Sequence, residues 1–221
     1  KVRANGGQPP AGRGAPGGNS GGLAHVPDIL DERALTIYVD GSMYRSPRRG
    51  GIGIRLVWLN AAGDETTWDH ALPATMGATN NEMELEAPTE ALRLACSPTA
   101  PFDLGQFNKI VMRTDSMYVF ENWKNAAWTW RDSKWTTKGG AAVLHSDAWK
   151  RLIAEMKKMS NRHRLIVRFE WTPGKKGMNA KAVDKLAKQS ANSPSFGQKR
   201  PNLVARKQSN EPLEHGSVKV T

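Results

Sequence analysis

From Leu35 onward, apolar and polar positions fall into short blocks, each with its own period. "LTIYVD" reads as a strand ending at Asp40, and "GGIGIRLVWLN" as a second strand entered through glycines. "ETTWDHALPA" makes a third. The period then becomes helical. In the stretch opening "TNNEMELEAPTEAL", Ala87, Ala91, Leu92 and Ala95 fall on one side of a helix turning roughly 100° per residue. Glu82, Glu86, Thr89, Glu90 and Arg93 fall on the other, which is expected to be solvated. "NKIVMRTD" is a buried strand ending at Asp115, followed by a short helical stretch from Ser116. "HSDAWKRLIAEMKKM" carries Trp149, Leu152, Ile153 and Met156 at helical spacing, with Ser146 as N-cap. "RLIVRFEWTP" is a strand stopped by Pro173, and "NAKAVDKLAKQSA" a last helix. The order β-β-β-α-β-α-α-β-α predicts an α/β domain, a five-stranded mixed sheet flanked by helices.

The ends break this pattern. Residues 1–32 open on "KVRANGGQPPAGRGAPGGNSGG", a stretch rich in Gly and Pro with no acidic residue and no period, and are expected to be disordered. The domain is expected to span residues 33–191. Residues 192–221 carry five Lys or Arg against two Glu, net +3, and read as a basic flexible tail. The chain opens on Lys1 rather than Met, so a trimmed chain is expected. No apolar run approaches the roughly 20 residues of a membrane span. A single cysteine, Cys96, excludes an internal disulfide framework. It is expected to be a buried thiol in an intracellular, reducing compartment, cytoplasmic or organellar. The formal net charge of +11 points to an anionic partner, most simply nucleic acid.

Four acids stand out against this background. Glu84 points to the apolar side of its helix, where an ionised carboxylate is costly without a counter-charge or metal. Asp40 and Asp115 close two apolar strands; if those strands are adjacent and parallel, both carboxylates reach one sheet edge, where α/β sheets bind ligands. Asp184 lies toward the apolar side of the last helix. Each acid alone reads equally well as a cap or turn residue. Four carboxylates aimed at one point repel each other, and divalent cations remove the repulsion. All-oxygen ligands suit Mg²⁺ or Mn²⁺.

"YVDGS", "TNNEMELEA", "RTDSMYV" and "AVDKLA", in this order, resemble the ribonuclease H type 1 family over about residues 34–191. The resemblance implies a ribonuclease H-like fold and a metal-binding catalytic quartet of Asp40, Glu84, Asp115 and Asp184. It implies two ions per site, one generating the attacking hydroxide and one stabilising the leaving oxygen. It also implies endonucleolytic hydrolysis of the RNA strand of RNA–DNA hybrids, leaving 5′-phosphate and 3′-hydroxyl ends. Gly41, Ser42, Met43, Asn80 and Asn81 would meet the 2′-hydroxyls across the minor groove. Thr79 would hold a DNA-strand phosphate. Asn80 and Asn81 also suit a helix N-cap. Residues 123–140 resemble a basic handle, in which Trp130, Arg131, Lys134, Trp135 and Lys138 would grip the duplex. Its tryptophans suit packing against the body equally well.

The chain departs from the family pattern at several points. Gly174 in "TPGKKGMNAKAV" stands where many members have a loop histidine, and none of His25, His70, His145, His163 and His215 belongs to that loop. Lys175 and Lys176 would attract phosphate, but a lysine is a poor proton shuttle near neutral pH. Met117 stands where a glutamine usually reads the groove, and "RSPRRGG" replaces the usual turn with Arg45, Arg48 and Arg49. Pro88 cannot donate to the carbonyl of Glu84, so a kink is expected there. These departures favour a second reading, a non-catalytic nucleic-acid-binding subunit joined to a larger assembly through the basic tails. The intact quartet favours the enzyme.

Overall fold

The computed structural model describes residues 31–174 and 176–193. The segments read as a disordered N-terminus (residues 1–30 of it) and a basic tail (residues 194–221) lie outside the described residues, as does Lys175. The first strand, β1 (Ala34–Arg45), is buried at every position from Ala34 to Val39. Such a run fits a strand covered on both faces. Around it the sheet orders as β3 (Glu65–Ala71), β2 (Arg48–Leu59), β1, β5 (Lys109–Thr114) and β6 (Ile166–Trp171). β1 runs antiparallel to β2 and parallel to β5, and β6 continues parallel to β5. The expected five-stranded mixed sheet is present. The third strand, read as residues 65–74, ends at Ala71, and a sixth strand, β4 (Thr75–Met76), only two residues long, follows just beyond that stretch and pairs with β2.

Helix α1 (Asn80–Ala95) crosses β1 and β2, and α4 (Ser146–His163) packs over α1. Leu35, Ile37, Val39, Leu85, Leu92, Trp149 and Leu152 belong to the main core between these layers. Burying each such side chain contributes about 1.5–3 kcal/mol. On the other face lies α5 (Met178–Asn192), where Tyr38, Val57 and Val183 form a second, smaller cluster. The glycines of β2 allow this approach. A methyl group at Gly51 or Gly53 would collide with the backbone of α5 at Ala187 and either Ala191 or Val183.

The α4 layer corrects the expected phase of α1. Glu86 and Thr89, assigned to a solvated face, are buried because α4 covers that side. Arg151 of α4 pairs with Glu86, and Arg93 Nε donates to Glu155 Oε1 at 3.0 Å. α1 runs unbroken through Pro88. Cys96 caps the C-terminal end of α1 and is exposed, contrary to the buried thiol expected. Ser146 is the first residue of α4 rather than its cap. His145, in a left-handed conformation, takes the cap position without a side-chain hydrogen bond.

α2 (Met117–Lys124) leads into the handle region, which holds a π-turn at Asn125–Thr129 and the three-residue α3 (Trp130–Asp132). Among the described residues, no helix is long and apolar enough to cross a membrane.

Candidate active site

β1 does not end at Asp40, as its sequence suggests; it continues to Arg45 as one arm of a hairpin with β2. The parallel ladder with β5, however, stops at Tyr38 opposite Arg113. Asp40 and Asp115 each lie two residues beyond that last pair, so both emerge at the same edge of the sheet. Period-two alternation turns Asp40 to the face of Tyr38, which is the face covered by α5 and Asp184. Asp40, Asp115 and Asp184 line one narrow cleft with Arg113 and Thr172. Glu84 enters from the opposite layer. Gly41, directly after Asp40, lets β1 touch the backbone of α1 at Met83 and Glu84, and any side chain there would collide with it.

The electrostatics record the convergence. Burial, followed by the charges of Asp115, Asp184 and Glu84, pushes the Asp40 carboxyl up to about 7, against a weaker opposing hydrogen bond from the Gly41 backbone. Burial also pushes Glu84 up, opposed by the hydrogen bond from Ser116 and reinforced by Asp115. Glu84 is held at both oxygens: Ser116 Oγ donates to Oε2 at 2.5 Å and Asn80 Nδ2 to Oε1 at 2.5 Å. Ser116 is itself the N-cap of α2. Asp184 accepts from Lys188 Nζ, one turn later on α5, at 2.7 Å. Gly174 leans against Asp115, and a side chain at that position would force the carboxylate to move.

Asp40 adds a pH dependence to the metal-free fold. Its folded value, about 7, lies above its unfolded one, so the stability it contributes is complete below about pH 4 and is lost as pH rises through about 7. Asp40→Asn is therefore expected to melt several degrees above the parent in EDTA at pH 8, with the gap closing at pH 4; equal melting at pH 8 would contradict it.

The residues expected to contact substrate divide into three groups. Thr79 is the N-cap of α1 and shares a capping box with Glu82, its backbone N–H reaching Glu82 Oε2 at 2.6 Å. Asn80 orients Glu84, and Asn81 is exposed beside it. Neither asparagine is the cap. Ser42 and Met43 follow Gly41 along β1, half-buried. In the handle, Trp130 packs edge-on against the fully buried Trp149 with centroids 5.7 Å apart, and Trp149 Nε1 donates to the Tyr118 hydroxyl. Trp135 lies 5.6 Å from the Lys150 ammonium. These rings fasten the handle to the body, while Arg131, Lys134 and Lys138 stay exposed.

Two supporting residues escaped the sequence reading. Ser116 is one, although its place directly after Asp115 and before a helical run was a legible cap signal. Arg113 is the other, a charge inside the apolar strand "KIVMRT". It is buried, donating to the Tyr38 hydroxyl at 2.7 Å and to Glu170 at 3.1 Å.

The model of the RNase H family matches residues 32–192. The chain belongs to the RNase H family. Curated relatives agree: it is 29% identical over 165 residues to the ribonuclease H of Actinobacillus pleuropneumoniae, covering 74% of this chain and 94% of that one. It is 31% identical over 148 residues to the ribonuclease H of Acidithiobacillus ferrooxidans, covering 67% and 80%. Among solved structures, LC9-RNase H1, a type 1 RNase H with the type 2 active-site motif, superposes with a TM-score of 0.57 at 22% identity, covering 74% of each chain. The foamy viral protease-reverse transcriptase, solved in complex with an RNA/DNA hybrid, superposes at 0.54 and 22% identity over 76% of this chain, which spans 21% of that one. These two likenesses bear on fold. This RNase H is thus a nuclease with the α/β fold its sequence predicted.

The departures in this RNase H have structural counterparts. Arg48 Nε donates to the Ala78 carbonyl at 3.0 Å and the Arg49 guanidinium stacks 4.8 Å over the Tyr44 ring, so both are fastened beside the site. Met117, at the start of α2, is exposed.

Proposed function

We propose that this RNase H cleaves the RNA strand of RNA–DNA hybrids with two Mg²⁺ or Mn²⁺ ions bound by Asp40, Glu84, Asp115 and Asp184, leaving 5′-phosphate and 3′-hydroxyl ends. The observation that carries the reading is Asp40, whose carboxyl is raised to about 7 by burial and by three other acids. Such a cluster is built to be neutralised by cations, and its donors are all oxygen. Among the described residues, no three His, Cys, Asp or Glu side chains are grouped to hold one ion by themselves. Mg²⁺ commonly takes one or two carboxylates and completes its shell with water and substrate phosphate. When bound, the ions supply an activated water and stabilise the leaving oxygen.

The chain's own residues do the positioning. Ser116 and Asn80 fix both oxygens of Glu84 toward the cleft. Lys188, which balances Asp184 in the metal-free protein, is free to turn to a backbone phosphate once a cation takes its place. In this reading Gly41, Ser42, Met43, Asn80 and Asn81 meet the 2′-hydroxyls of the RNA strand. Residues 33–191 are the catalytic domain in this reading, with 1–32 and 192–221 as flanking segments of an intracellular enzyme.

Handle residues Arg131, Lys134 and Lys138 hold DNA-strand phosphates in this account. Replacing all three by Ala should lower the slope of log affinity against log salt by about two to three units, since each neutralised phosphate contributes roughly 0.9. An unchanged slope would remove the handle from the interface.

The product ends test the proposal. A hybrid whose RNA carries a 5′ label should yield fragments with 3′-hydroxyls that a polymerase extends. Fragments ending in 2′,3′-cyclic phosphate would instead indicate attack by the RNA's own 2′-hydroxyl and exclude this mechanism.

A further inference from the structure

Far from the carboxylates, three soft or borderline donors meet where α1 ends on α4. Cys96 Sγ stands 3.8 Å from Met159 Sδ, to which the thiol donates, and 3.7 Å from His163 Nε2. Met159 and His163 are one turn apart on α4 and share a face. We propose that Cys96, Met159 and His163 form a binding site for one soft monovalent cation, Cu(I). Three ligands spread by about 120° around an ion, with sulfur at roughly 2.3 Å and nitrogen at roughly 2.0 Å, stand about 3.7–4.0 Å from one another. The two separations observed, 3.7 and 3.8 Å, fit two sides of that triangle. The donor set chooses the metal. Thiolate and thioether favour Cu(I), whereas Mg²⁺ and Mn²⁺ prefer oxygen, and a thioether is not a Zn²⁺ ligand.

Access and charge fit as well. Met159 is fully buried and supplies a fixed floor, while Cys96 and His163 are exposed and leave an entry path. Partial desolvation of the sulfur where it meets Met159, then the charge of Glu155, holds the thiol above its ordinary range, against Lys158 and Arg162. The thiol is therefore protonated before loading, and binding releases one proton: the S–H bond breaks, a sulfur–copper bond forms, and thiolate and cation cancel. The site clamps the C-terminal end of α1 to the last turn of α4. Cys96 lies twelve residues beyond Glu84, about 18 Å along the helix, so loading leaves the carboxylates untouched.

The test uses the full reduced chain, titrated anaerobically with Cu(I) in competition with bicinchoninate. One equivalent should bind, releasing about one proton, and Cys96→Ser should abolish that equivalent. Because any exposed thiol attracts Cu(I), the deciding variants are Met159→Leu, which conserves core volume, and His163→Gln, which changes only an exposed group. Each should weaken binding about tenfold or more, as loss of a metal-orienting group does. Wild-type affinity in either variant, with circular dichroism unchanged, or persistence of the tight equivalent in Cys96→Ser, would overturn the site. Hybrid cleavage in Mg²⁺ should be the same in all three variants.

Discussion

Asp40→Asn is expected to abolish hybrid cleavage while the hybrid remains bound. Asp40 is where the repulsion of the quartet concentrates, through Asp115, Asp184 and Glu84. The substitution keeps the size and removes the anionic oxygen a divalent cation needs. A loss of about a thousandfold or more, roughly 4 kcal/mol of barrier, is expected. Binding should be unchanged or tighter, because one negative charge leaves the path of the phosphates. Asp115→Asn should behave alike, since its carboxylate emerges at the same sheet edge. Single-turnover cleavage and a filter-binding isotherm on the same hybrid measure the two quantities separately. Turnover within tenfold of the parent in either variant would remove that residue from the site.

The second large effect separates chemistry from stability within one helix. Glu84→Gln should lose cleavage as Asp40→Asn does, yet fold well, because Ser116 and Asn80 can still pair with an amide oxygen or nitrogen. Glu86→Gln should do the reverse. Its carboxylate is buried against Arg151 under α4, and removing it strands that guanidinium. Arg151 is a quarter exposed, which tempers the loss to about 1–3 kcal/mol, with cleavage per folded molecule unchanged. Glu90→Gln and Glu82→Gln should be milder; the latter weakens the capping box with Thr79 by about 1 kcal/mol. Denaturant melts and cleavage rates on all four variants give the comparison. An inactive Glu86→Gln beside an active Glu84→Gln would place the site on the wrong side of α1.

This contrast marks how far the sequence could be read. The strands and the inward turn of Glu84 were legible because each depends on local period; that the strands of Asp40 and Asp115 run parallel side by side entered only as a condition, which the ladder of β1 with β5 meets. The burial of Glu86 and Thr89 was not legible. Helical phase tells which residues share a face, but not that α4, some fifty residues later, would cover the polar one. The long β1 was missed for a related reason: beyond Asp40, "GSMYR" lacks an apolar run, and only its pairing with β2 makes it a strand. Cys96 carried no signal at all, since its exposure follows from where α1 happens to end. The handle tryptophans were ambiguous in sequence, and ring contacts to Trp149 and Phe169 resolve Trp130 and Trp123 as packing groups.

One assay addresses the whole account. The full chain is mixed with three end-labelled duplexes of one sequence, RNA–DNA, RNA–RNA and DNA–DNA, in Mg²⁺, in Mn²⁺ or in EDTA. Cleavage of the RNA strand of the hybrid alone, in either cation and not in EDTA, is the predicted result. Cleavage that persists in EDTA, or a hybrid that is bound but intact in both cations, would contradict it.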